Sequence, residues 1–156
     1  AIGLAIASER PEVRLFSTDV IEPAVRCTQE NVRRLEMSDR VAVMKGSLLT
    51  PIPPDRQIDV VVSNPPYIPT AEIDGLAPEI SRHEPLLALD GGADGLNLYR
   101  ELIPAAAARA LSAVLVEHGD GQHQAVSAMM RQAGLVDITE HPDLTGTVRV
   151  VSGRRA

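Results

Sequence analysis

The sequence predicts an α/β fold on a mostly parallel sheet. Short β-branched apolar runs alternate with longer stretches of helical spacing, the pattern of strand–helix–strand units. One run, Ile58-Asp59-Val60-Val61-Val62, is apolar on both faces, as expected of a strand buried inside a parallel sheet. Polar, Gly- and Pro-containing segments follow several of the runs, at the strand ends where open α/β sheets bind ligands.

Each element has a local reason. Residues 1–8 are small and apolar and read as a short helix. Val13 to Thr18 reads as a strand ending at Asp19. From Ile21 to Glu36, apolar Ala24, Val25, Val32 and Leu35 recur at amphipathic helical spacing, and Pro23 is tolerated because it falls in the first turn. Val41 to Met44 is a second strand, closed by Gly46. Pro51, Pro53 and Pro54 form an irregular connection to the third strand, Ile58 to Val62. Residues 63–95, rich in Pro, Gly and Glu, read as a long loop with one helical turn, and loops of such length in compact domains are usually functional or disordered. Leu96 to Leu111 reads as a helix that Pro104 should kink or restart. Ala113 to Glu117 is a strand, and Gln122 to Ala133 a helix stopped by Gly134. Leu135 to Glu140 and Thr147 to Val151 close the sheet as an antiparallel pair.

Composition narrows the functional classes. At 156 residues, 44% of them hydrophobic, the chain is expected to be one domain, residues 1–156, with one core. Aromatics are 2%, so the core must be aliphatic, and Tyr67 between two prolines and an isoleucine stands out. A net charge of -6 argues against a broad phosphate-binding surface. Cys27 is the only cysteine, which excludes an internal disulfide or a zinc cluster of cysteines and fits a reducing cytoplasm. No run of about 18 apolar residues is present, so no membrane span is expected.

Three candidate sites fall at strand ends: Asp19, Gly46-Ser47, and Ser63-Asn64-Pro65-Pro66-Tyr67. A carboxylate at Asp19 can accept both hydroxyls of a ribose; it can equally be an acid at a helix start. Pro65 and Pro66 remove two backbone donors and stiffen the chain, while their carbonyls stay free to accept. With the Asn64 side-chain carbonyl they form a rigid set of acceptors suited to the two N–H bonds of one NH2 group. Tyr67 can stack on the planar π system that carries it. The bare residues therefore point to a held amide or amino nitrogen, in a nucleic-acid base or in a protein.

The tetrapeptide after Val60-Val61-Val62-Ser63 resembles the motif of amino- and amide-nitrogen methyltransferases. The downstream residues are similar to the HemK/PrmC family: His83-Glu84-Pro85, Ala88-Leu89, Gly91-Gly92, Asp94-Gly95-Leu96, Tyr99-Arg100, then Glu117, Gly119 and Gln122, then Asp143-Leu144, Gly146 and Arg149. The resemblance implies a Rossmann-like class I fold dependent on S-adenosylmethionine, with S-adenosylhomocysteine as product and no metal. It implies a cytoplasmic enzyme that methylates the glutamine amide of the Gly-Gly-Gln motif in peptide chain release factors. It places Asp19 on the cofactor ribose, Ser47 and Leu48 by the adenine, Asn64 between cofactor and substrate, and Pro65, Pro66 and Tyr67 around the glutamine amide. It also implies a first strand and a Gly-rich loop ahead of Ala1-Ile2-Gly3-Leu4-Ala5, so the catalytic domain is expected to be incomplete at its N-terminus. The acidic balance and the Glu-Pro and Gly-Gly stretches weigh against the alternative of an adenine-N6 nucleic-acid methyltransferase, and no direct nucleic-acid binding is expected. A second alternative, a non-catalytic methyltransferase-like binding module, draws its support from the absent Gly-rich loop.

The remaining candidates have plainer readings. His118 and His123 lack a partner at metal spacing and read as surface or loop residues, and His83 and His141 have no visible partner. Glu84 reads as an acceptor for loop N–H groups, and Asp90, Asp94 and Gly91-Gly92 as turn chemistry. Arg33-Arg34 and Arg154-Arg155 read as solvated charge, and Cys27 as packed within its helix.

Overall fold

The computed structural model describes residues 1–81 and 83–156, which form two compact units, Ala1–Arg56 and Gln57–Ala156. The first unit holds α1 (Ile2–Glu9), β1 (Leu15–Asp19), α2 (Glu22–Arg34) and β2 (Val41–Lys45). β1 and β2 pair in parallel, from Leu15 opposite Val41 to Asp19 opposite Lys45. Pro23 lies in the first turn of α2, where its missing N–H costs no bond. Glu22 at the start of α2 and Arg33 and Arg34 at its end complement the helix dipole. Val25 and Val32, seven residues apart, are the buried positions of α2. Ala7, Val32, Met37 and Val41 form the core of this unit, with Leu4, Leu15 and Val43 packed against it. Cys27 is exposed on α2, so the packed role expected for it is corrected: its helix face turns away from Val25 and Val32.

The second unit holds β3 (Ile58–Ser63), a 3-10 turn (Thr70–Gly75), α3 (Pro78–Ser81), α4 (Leu86–Leu89), α5 (Asn97–Arg109), β4 (Ala110–Glu117), α6 (His123–Gln132), β5 (Leu135–Pro142) and β6 (Val148–Arg155). Its sheet runs β3-β4-β6-β5. β3 and β4 are parallel, and β6 is antiparallel to both β4 and β5. Tyr99, Leu102, Ile103 and Ala106 of α5 are at most 1% exposed, as are Val114 and Val116 of β4, Val126 and Met130 of α6 and Val151 of β6. Apart from Tyr99 the hydrophobic residues of this core are aliphatic, as composition requires.

Four local expectations change. β3 is not buried on both faces: Val61 is 5% exposed, while Val60 and Val62 are 45% and 41% exposed. It stands at the edge of its sheet, hydrogen-bonded on one side to β4. The helix expected to reach Leu111 stops at Arg109, because parallel pairing with Ile58 draws Ala110 into β4. Alanine favours helix locally, and tertiary pairing overrides that preference. Pro104 does not interrupt α5, which runs through it with the proline on an exposed position. The long segment after β3 holds the 3-10 turn and two four-residue helices in place of one helical turn. Gly134, at φ +83°, ends α6 in the left-handed conformation expected of a helix stop.

Candidate active site

The two groups of candidate residues fall in different units, and each is built by its own unit. In the first, Asp19 ends β1 and is half-buried. Its Oδ1 accepts the Ile21 N–H at 2.8 Å, and Gly46 N–H donates to the Asp19 carbonyl at 2.9 Å. Among the described residues nothing bonds Oδ2. Both readings of Asp19 thus have a basis: one oxygen shapes the entry to α2, and one is left for a ligand. Beside it, the Thr18 hydroxyl donates to the Leu48 carbonyl at 2.7 Å. That bond braces Leu48 in a left-handed conformation, φ 48°, uncommon for a residue with a side chain. The Ser47 carbonyl is taken by Thr50, from both its N–H (3.0 Å) and its hydroxyl (2.6 Å). Ser47 and Leu48 therefore form a fixed turn at the end of β2, next to the end of β1. A free carboxylate oxygen beside a braced turn fits a nucleoside, whose hydroxyls need an acceptor and whose base needs a shaped wall.

In the second unit Asn64 follows β3 and is exposed, Pro65 is buried, and Pro66 and Tyr67 are half-buried. No described residue bonds the Asn64 side chain, so its acceptor stays available. Two loops pin the chain that follows. From α4 and its successor, Ile68 N–H donates to Leu89 O at 3.0 Å, Gly91 N–H to Ile68 O at 2.9 Å, and Thr70 N–H to Gly92 O at 3.0 Å. Asp90 Oδ1 joins the same junction, accepting from the Thr70 hydroxyl at 2.7 Å and from Gly92 N–H at 2.8 Å. The Thr70 hydroxyl first, and then the Gly92 N–H, hold the Asp90 carboxyl below its usual range. From the end of β4, Gln122 Nε2 donates to Tyr67 O at 2.9 Å while Gln122 Oε1 accepts Gly119 N–H at 3.0 Å. Gly95, at φ +74°, closes over this pair: a Cβ there would lie 2.2 Å from Tyr67 O and 2.4 Å from Gln122 Nε2. A Cβ on Gly119 would stand 3.0 Å from the Tyr67 ring.

The glycines and turn residues downstream of the tetrapeptide thus pack its backbone. Asp94 and Arg100 form an exposed ion pair, and Asp94 also accepts Leu96 N–H at 3.1 Å. Arg100, the largest cause, brings the Asp94 carboxyl down to about 2. Asp143 shapes the turn between β5 and β6 by accepting from Thr145 and Thr147 N–H, and Arg149 bridges Asp143 (3.5 Å) and Asp120 (3.3 Å). Tyr99 donates its phenol proton to Glu117 O at 2.7 Å, and burial, the largest cause, pushes its pKa well up.

Several histidine, arginine and glutamate readings change. His118 is 0% exposed, not at the surface: it follows β4 directly, with its N–H on Arg149 O at 3.0 Å. Its Nδ1 lies 2.8 Å from Gly119 O, a pure acceptor, so Nδ1 carries the proton. His118 Nε2 is buried without a partner among the described residues, and its ring centroid is 6.1 Å from that of His123. His141 does have a partner, Ser152 Oγ at 2.8 Å across the β5–β6 pair. Arg155 is not simply solvated: its guanidinium donates to Ala107 O at the end of α5. Glu84 accepts no hydrogen bond among the described residues; its own N–H donates to Ile80 O. The role of Gln122 escaped sequence reasoning, although the Gly119-x-x-Gln122 spacing, i to i+3, is a local turn signal.

Among the described residues no group of three or more His, Cys, Asp or Glu could hold a metal ion, and no helix is long and apolar enough to cross a membrane.

Residues 1–81, just over half of the chain and including Asn64 to Tyr67, match the family described as methyltransferase small domain. The chain is 44% identical over 155 residues to a release factor glutamine methyltransferase of Caulobacter vibrioides, covering 97% of this chain and 53% of that protein. Proteins of the same name from Geobacter sulfurreducens (39% identical, 98% and 54% covered) and Streptomyces coelicolor (40% identical, 100% and 56% covered) are similarly close. The chain spans about half the length of the curated relatives it matches. Among solved structures it resembles the N-terminal domain of human METTL16 in complex with SAH, with a TM-score of 0.68 at 15% identity, covering 97% of this chain and 55% of that one. It also resembles a methyltransferase from Pyrococcus furiosus, with a TM-score of 0.67 at 14% identity, covering 98% and 68%. At such identities the likeness shows the fold alone, which is that of class I methyltransferases, α/β with a parallel part and antiparallel closing strands.

Proposed function

The chain belongs to the methyltransferase small domain family, and from that premise we propose that it transfers a methyl group from S-adenosylmethionine to the side-chain amide of a glutamine in peptide chain release factors. The observation that carries the reading is the Asn64–Tyr67 segment, rich in acceptors, poor in donors, and pinned from two loops. The names of the relatives at 39–44% identity support a protein amide over an adenine as the acceptor.

An amide nitrogen is a poor nucleophile, because its lone pair is delocalised into the carbonyl. S-adenosylmethionine supplies a methyl already activated by its sulfonium. The chain's own task is then alignment, which can be worth roughly 7–11 kcal/mol in well-oriented systems. Asn64 Oδ1 and the Pro65 carbonyl accept the two amide N–H bonds and fix the nitrogen. They also favour the positive charge that grows on those hydrogens during attack. Tyr67 backs the amide plane. Asp19 would receive the ribose through Oδ2, and the braced Ser47-Leu48 turn would wall the adenine. The proton leaves after transfer, so no strong general base is required, and exposed Glu84 is not assigned that role.

The test is transfer of labelled methyl from S-adenosylmethionine by the complete gene product that contains this chain. A release factor should be labelled, and its Gly-Gly-Gln Gln→Ala variant should not. Equal labelling of the two, or of neither, refutes the substrate assignment.

A further inference from the structure

We propose that Gln122 is a positioning residue for methyl transfer: its side-chain amide sets where the Tyr67 backbone stands, and through it the acceptors of Asn64 and Pro65. The proposal rests on the amide-methylation reading above. It deepens that reading by naming what holds the tetrapeptide in register.

Pro65 and Pro66 have no N–H, so only Asn64 and Tyr67 can anchor this stretch through backbone donors. Among the described residues the Gln122 amide makes the one side-chain hydrogen bond to the tetrapeptide, reaching Tyr67 O at 2.9 Å across 55 residues of chain. The orientation of the amide follows from its partners. Gly119 N–H can only donate, at 3.0 Å, and Tyr67 O can only accept, so Oε1 and Nε2 are each assigned.

The base of the clasp is itself held. Gln122 N–H bonds Gly119 O at 3.3 Å, His118 Nδ1 adds a contact to the same carbonyl at 2.8 Å, and Arg149 ties Asp120 at 3.3 Å. Gly95 closes the remaining space, since even a methyl there would strike both Tyr67 O and Gln122 Nε2. The clasp therefore has one geometry, and a displaced Tyr67 carbonyl displaces the acceptors two and three residues before it. An error of about 1 Å in such alignment can cost on the order of a hundredfold in rate.

The experiment compares Gln122→Ala and Gln122→Glu with wild type in the complete gene product. Glutamate keeps an acceptor for Gly119 N–H. At neutral pH it has no donor for Tyr67 O, and on acidification its carboxyl gains one. The expected result is a fall in kcat of about tenfold to a hundredfold in both variants, with KM for S-adenosylmethionine within about twofold. The ratio of Gln122→Glu to wild-type kcat should rise as pH falls through the carboxyl's titration, which a merely structural role would not produce. Wild-type kcat in Gln122→Ala, or a ratio flat with pH, overturns the proposal.

If the wild-type protein transfers nothing to the release factor, the functional reading fails separately. The clasp is then read by NMR of fluorotyrosine-labelled protein, with Tyr67→Phe to assign the signal. A shift of the Tyr67 resonance in Gln122→Ala, with acid recovery in Gln122→Glu, supports the clasp; an unmoved resonance in both overturns it.

Discussion

Replacing Gly95 with alanine tests how tightly the post-β3 segment is built. Two costs add. Gly95 sits at φ +74°, where a Cβ costs about 1–2 kcal/mol. The same Cβ would lie 2.2 Å from Tyr67 O and 2.4 Å from Gln122 Nε2, so the clasp must open. Losing that part-buried bond and leaving its carbonyl unpaired costs about 1–3 kcal/mol. The sum is about 2–5 kcal/mol, a large share of the stability of an ordinary domain. Gly121 supplies the matched control: its φ is +73° and nothing lies within 4 Å of its Cβ direction, so Gly121→Ala carries the backbone cost alone. Urea unfolding of both variants separates the terms. Gly95→Ala should be more destabilised than Gly121→Ala by about 1–3 kcal/mol, and it should lose methyl transfer where Gly121→Ala does not. Equal destabilisation of the two would show that the segment yields around an added methyl, and the account of a rigid clasp would be wrong.

Other outcomes follow from the same contacts. Tyr99→Phe removes the hydroxyl that meets Glu117 O and should cost about 0.5–2 kcal/mol in urea unfolding; no loss means that the carbonyl is satisfied another way. Asp94 has a lowered carboxyl pKa, about 2, against an ordinary value near 3.8. A depressed acid contributes stability above its unfolded pKa and loses it as pH falls through its folded one. The melting-temperature gap between wild type and Asp94→Asn should therefore shrink between pH 4 and pH 2, and a gap constant over that window refutes the pairing with Arg100. Asp19→Ala removes the carboxylate proposed to hold the ribose, which should cost about 1.5–3 kcal/mol for hydrogen bonds to a charged group, or about tenfold to a hundredfold in cofactor affinity. Calorimetric titration with S-adenosylhomocysteine measures it, and wild-type affinity removes Asp19 from the site.

The sequence by itself determined the order of elements, because period and punctuation are local. The two-turn spacing of Val25 and Val32, the Val- and Ile-containing runs of β2 and β3, and Gly134 at a helix end all act within a few residues. It also determined the chemistry of Asn64-Pro65-Pro66-Tyr67, since two prolines without N–H beside a side-chain carbonyl acceptor are a property of residue type. Tertiary structure decided what pairing and burial decide. β3 lies at a sheet edge, with Val60 and Val62 exposed, because only β4 pairs with it within its sheet. Ala110 is strand because Ile58 lies opposite, His118 is buried because its backbone joins Arg149, and Cys27 is exposed because α2 buries its other face. The hold on the tetrapeptide belongs to the same class. Fifty-five residues separate Tyr67 from Gln122, and no local pattern at either end specifies that a glutamine amide meets that carbonyl; it is the packing of Gly95 and Gly119 around the pair that brings them together.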